Sequence, residues 1–180
     1  VMSMSLVTIA NAADFSDSND ISYEEAVDVM STIGVINGMD DGSFDPHGTL
    51  TREQAAKLVT YILLGDNAER LGIERSTFKD VAVTRWSAPA IEYCVSLGII
   101  DGAGDGNFYP AGQLTGAAFA KVLLTALGYD SEIEGLTGAT WSVNTAALAM
   151  EVGLDSGIED LSWSSALTRE EAAQMALNAI

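Results

Sequence analysis

The chain of 180 residues is short of the residues on which most protein chemistry depends: it has one cysteine, one histidine and eight basic residues against 26 acidic ones. A single thiol, Cys94, closes no disulfide within the chain and leaves the redox compartment open. A single imidazole, His47, furnishes no histidine-based dyad or triad. The formal net charge of −18 is spread without a long run of like charge; such a surface repels phosphate backbones and argues against nucleic acid as a partner. No apolar run approaches the ~20 residues that cross a bilayer, so membrane insertion of the mature chain is not expected.

What is present is apolar. At 48% hydrophobic residues the chain has enough to bury a core, which excludes wholesale disorder. The opening stretch VMSMSLVTIANA ends in Ala10-Asn11-Ala12, a small-x-small site behind an apolar segment. Residues 1–12 are therefore expected to be the remnant of a secretory signal and are set outside the fold. The other reading of the run is a buried strand or helix.

The rest is built by repetition. GMDDGSFDPHGTLTREQAA begins at Gly38 and GAGDGNFYPAGQLTGAAFA at Gly102, 64 residues later. The shift also aligns Gly34 with Gly98, Asp41-Gly42 with Asp105-Gly106, Phe44 with Phe108 and Pro46 with Pro110. A third copy follows at a shift of 55, matching Trp86 to Trp141, Gly98 to Gly153 and Asp105 to Asp160, and it loses two residues before Thr168. The copies divide the chain into residues 13–66, a linker at 67–77, residues 78–129 and a degenerate third copy at 130–180.

Each copy reads as helix, loop, helix. Ala26, Val29, Met30 and Ile33 recur at helical spacing, as do Ala55, Leu58, Val59 and Ile62 after the loop. Gly34 stands where a C-terminal cap ends the first helix. Thr51 with Gln54, and Thr168 with Glu171, form capping boxes at the second; Ala118 leaves copy two with half a box. Asp41-Gly42 and Asp105-Gly106 are turn dipeptides, and Phe44 and Phe108 are expected to fold back onto the helices. The third copy puts Leu161 and Trp163 in their places, so its turn must differ. A lone helix pair buries one stripe poorly, whereas three can bury their stripes together, with residues 26–33, 90–97 and 146–152 expected on the central helices.

Phe78-Lys79-Asp80, Trp86, AIEYCVSLGIIDGAGDGNFYPAGQLT and the helix starts LTREQAA and LTREEAA together resemble tandem S-layer homology repeats. The resemblance implies an all-α fold, three helix-loop-helix repeats in a pseudo-threefold arrangement around a central three-helix bundle. It also implies a function: non-covalent anchoring of a secreted bacterial surface protein to the cell wall. The implied ligand is anionic secondary cell-wall polysaccharide, often carrying pyruvate ketals, or another peptidoglycan-attached polymer, held in grooves between repeats.

The family's ligand contacts fall here on Thr51, Arg52, Glu53 and on Thr168, Arg169, Glu170. An arginine in the first turn is electrostatically misplaced, because the helix N-terminus is already partly positive. Beside free amides it would receive a carboxylate. The bland alternative pairs each arginine with its following glutamate or with a neighbouring repeat. Copy two carries Gly116 in place of the arginine, which weakens that helix start by up to ~1 kcal/mol relative to alanine. Trp86 and Trp141 stand at equivalent positions and serve either as sugar platforms or as core.

Other chemistries fit less well. NGMDDGSFDPHG places Asn37, Asp41, Gly42 and Asp45 as in a calcium loop, but Met39 and Gly48 occupy ligand positions, so no metal is expected. No cofactor and no enzymatic activity are expected either. Cys94 aligns with Met30 and Ala149 and reads as a small buried hydrophobe. The rival to wall binding is a repeat-derived spacer or assembly module that has lost sugar binding.

Overall fold

The computed structural model describes residues 12–180. The expected signal remnant, residues 1–12, lies outside them except for Ala12, which opens a short 3-10 turn and is buried. The fold is all-α. Its helices are α1 (Glu24–Thr32), α2 (Arg52–Leu64), α3 (Ala88–Ser96), α4 (Gly116–Ala126), α5 (Trp141–Glu151) and α6 (Arg169–Asn178). Among the described residues there is no strand, only three isolated antiparallel bridges.

Local sequence sets the helix ends. The Thr51 hydroxyl accepts from the Gln54 amide at 3.3 Å while the Gln54 side chain accepts from the Thr51 amide at 3.0 Å. Thr168 and Glu171 do the same at 3.3 and 2.8 Å, and Thr115 keeps only its bond from Ala118, at 3.2 Å. The first helices stop at Gly34, Gly98 and Gly153, whose φ angles of +75°, +68° and +80° are the left-handed turn that glycine adopts without strain. Phe44 and Phe108 are fully buried, packed on Phe15 and Phe78 with ring centroids 5.5 and 5.3 Å apart.

Each first helix packs against the second helix of a neighbouring copy: α3 on α2, α5 on α4 and α1 on α6. The second helices meet one another, α2 with α4 and α4 with α6. The sequence reading had put residues 26–33, 90–97 and 146–152 at the centre, and the opposite set lies there. Burial explains the choice. Helices α2, α4 and α6 bury seven, seven and six residues, against four, four and three in α1, α3 and α5. Ala56, Ala120 and Ala173, at corresponding positions of these helices, are fully buried.

The Leu-Thr segments entering the three central helices bond in a closed ring. Leu50 donates its amide to the Leu167 carbonyl (2.9 Å), Leu167 to Leu114 (2.8 Å) and Leu114 to Leu50 (3.1 Å). First and third copies therefore touch, which a linear array would not allow. The next amides are taken as well: Arg52 and Glu53 donate to the carbonyls of Gly112 and Pro110, Arg169 and Glu170 to Gly48 and Pro46, and Gly116 and Ala117 to Ser165 and Trp163. The helix N-termini thus bond the loop of the adjacent copy, and the free amides expected beside each arginine are already satisfied.

Gly116 is also corrected by the structure. A Cβ there would sit 2.9 Å from the Ser162 carbonyl oxygen and 3.3 Å from the Trp163 Cα, because the third loop, two residues shorter, lies against the start of α4. Loss of the arginine and shortening of the loop are one structural change. Gly116→Ala is therefore expected to destabilise by ~1–3 kcal/mol through overpacking, outweighing its propensity gain. A thermal melt showing an unchanged or raised midpoint would refute this.

Candidate functional site

Two grooves are built from corresponding residues. The first, about 170 Å³, is lined by Asn37, Gln54, Lys57, Trp86 and Arg169 among others. The second, about 540 Å³, has Asp101, Ala118, Lys121, Trp141 and Arg52 in the same places. In each, the arginine comes from one copy, the lysine from the adjacent central helix and the tryptophan from the helix entry that packs on it. By the same registers the third set would be Gly116, Gln174 and Ser22 or Tyr23, which brings no cation.

The arginines hold the loops. Arg52 donates from Nε to the Phe108 carbonyl (2.8 Å) and from Nη2 to that of Asp101 (2.6 Å), with its guanidinium 4.5 Å from the Phe108 ring centre. Arg169 repeats this on Phe44 (2.9 Å), Asn37 (3.1 Å) and the Phe44 ring (5.0 Å). Arg169 is only 7% exposed, so the groups expected to receive a carboxylate are first of all parts of the loop structure. Burial pulls the pKa of each down while nearby aspartates push it back.

The glutamates are turned inward. Glu53, 7% exposed, accepts a fork from Arg85 at 2.8 and 2.8 Å and the Ser87 hydroxyl at 2.6 Å. Glu170, also buried, accepts the amides of Ser22 and Tyr23 at 2.7 and 3.4 Å and lies 3.5 Å from His47 Nδ1. Both carboxylates thus cap the entry to a neighbouring copy's first helix. The Thr51 and Thr168 hydroxyls are held in caps. Trp86, 55% exposed, is no core residue, and Trp141 is half-buried.

Sequence reasoning missed Lys57 and Lys121. Lys57 Nζ stands 5.4 Å from the Tyr61 ring centre and 5.5 Å from that of Trp86, and Lys121 Nζ is 5.8 Å from Trp141. The signal was available, since two of only eight cations share one register 64 residues apart. Also missed were Asp17 and Asp80. The carboxylate of Asp17 accepts the amides of Phe44 and Asp45, that of Asp80 the amides of Phe108 and Tyr109. Asp41, in the stretch whose spacing only partly fits a calcium loop, accepts from the amide and hydroxyl of Ser43.

Partial burial pushes the pKa values of Asp17, Asp80 and Glu53 upward, but hydrogen bonds to the carboxylates outweigh it and hold each below its ordinary value. A depressed folded pKa gives stability that is present above the unfolded pKa, about 4, and lost as pH falls through the folded value. The melting temperature is therefore expected to hold from pH 7 to about 5 and to fall as acid protonates these groups. A midpoint independent of pH down to about 2.5 would contradict the loop-clamp role of these groups.

Fold and grooves together define a tandem helical-repeat module with two corresponding clefts, each holding one arginine and one lysine, the second holding Asp101 and Glu132 as well. Residues 14–56 and 77–120 match the S-layer homology domain. The chain is 31% identical, over 96% of its length, to the surface-layer 125 kDa protein of Lysinibacillus sphaericus, and 30% identical, again over 96%, to a cell surface protein of Thermoanaerobacter kivui. It is 29% identical over 84% to S-layer protein EA1 of Bacillus anthracis. It spans 15%, 22% and 18% of those proteins.

Proposed function

We propose that this chain anchors a surface protein to the bacterial cell wall by holding an anionic wall polysaccharide, pyruvylated or otherwise acidic, in its two arginine–lysine grooves. The observation that carries the reading is where the positive charge lies: four of the eight basic residues line these two grooves in matching register. Each groove joins a cation pair to a tryptophan face, which suits a sugar ring bearing a carboxylate. The names of the similar proteins and the 96% span of the alignments, which takes in the third copy, support three repeats and a wall location.

Long-range attraction plays no part, because a protein of charge −18 repels an anionic polymer at distance. Screening beyond ~8 Å at physiological salt leaves the short-range contacts to decide. Sacculi bearing their polysaccharide are expected to retain the chain, and sacculi stripped of it to lose most of it. Equal retention by both would overturn the reading and favour a spacer or assembly role.

A further inference from the structure

The shortened third loop makes a different kind of cleft. Between the start of α4, α5 and that loop lies a groove of about 520 Å³, lined by Trp141, Trp163, Ser142, Ser164, Ala147 and Met150 among others. No charged residue lines it. Met150 is 51% exposed and Val143 70%, so the apolar face of α5 stands open to solvent. The backbone of Trp163 is fixed there by the bond from the Ala117 amide to its carbonyl, at 2.9 Å, and by its approach to Gly116.

Trp141 belongs to this cleft and to the second arginine–lysine groove alike. A chain of sugars lying in that groove and running past Trp141 enters a space with two indoles, two serine hydroxyls and no cation. We infer that this cleft is a subsite for an uncharged sugar unit of the same polymer, next to the unit whose acidic group lies at Arg52 and Lys121. Indole faces take the apolar C–H face of a pyranose, and the hydroxyls of Ser142 and Ser164 offer hydrogen bonds at its edge. An acidic unit has no counter-ion there, so the two clefts would read alternating charge along one chain. This inference rests on the wall-polysaccharide reading and adds what lies beside the charged unit.

The test compares two probes by titration calorimetry: polysaccharide released from sacculi, and a monosaccharide bearing a pyruvate ketal. Trp163→Ala is expected to weaken the polymer about three- to tenfold and leave the monosaccharide unchanged, since one aromatic contact is removed outside the charged groove. Ala147→Glu, on the exposed face of α5, leaves the core untouched and is expected to do the same by placing a carboxylate in the cleft. Polymer affinity equal to wild type in Ala147→Glu would overturn the subsite, as would a wild-type dimer in sedimentation that Ala147→Glu dissociates with polymer binding intact, which would mark the cleft as a protein interface. Failure of the wild-type chain to bind either probe would instead overturn the wall-binding reading beneath it.

Discussion

Arg169→Ala is expected to lower the melting temperature by roughly 6–12 °C, the largest stability effect of any groove substitution. The side chain is 7% exposed and bonds two carbonyls of the first loop, those of Phe44 and Asn37. Removing it loses two charge-assisted hydrogen bonds and leaves both acceptors to find water, about 3 kcal/mol in all. At this chain length each kcal/mol shifts the midpoint by ~2–4 °C. Arg169→Lys should recover little, because a point ammonium cannot span two carbonyls and stack on Phe44. Arg52→Ala should cost less, its side chain being half-buried. A midpoint within about 1 °C of wild type for Arg169→Ala, by calorimetry or circular dichroism, would remove the pinning role.

That expectation separates what the sequence makes legible from what it does not. Periodicity, glycine stops and threonine caps placed all six helices and both loop phenylalanines, because those signals act within a few residues of where they stand. The partners of Arg52, Arg169, Glu53 and Glu170 lie 32 to 148 positions away and depend on which copy packs on which. A repeat gives no local sign that its first helix docks on its neighbour's second. The same gap hid the meaning of Gly116, which reads as a poor helix residue until the shorter third loop is seen to lie against it. The arginine's job in the loop was invisible for a related reason: its acceptors are backbone carbonyls, which leave no mark in residue type.

The structure also moves the ligand contact toward the lysines. Each arginine spends Nε and Nη2 on loop carbonyls, whereas the ammonium groups of Lys57 and Lys121 make no hydrogen bond or ion pair among the described residues and stand over aromatic rings. Their ammonium donors are free to meet an acidic sugar. Lys57→Ala and Lys121→Ala are each expected to weaken polymer binding about ten- to hundredfold at their own groove, the loss of one charge-assisted contact. Stability should change by no more than about 0.5 kcal/mol, since neither ammonium bonds the fold. The first change should cost more overall, because Asp101 and Glu132 line the second groove while no carboxylate lines the first. By the same logic Asp101→Asn, which restores the amide found at Asn37, should tighten the second groove in a Lys57→Ala background. If the double lysine variant is folded and sacculi retain it as fully as wild type, the two grooves do not hold the polymer.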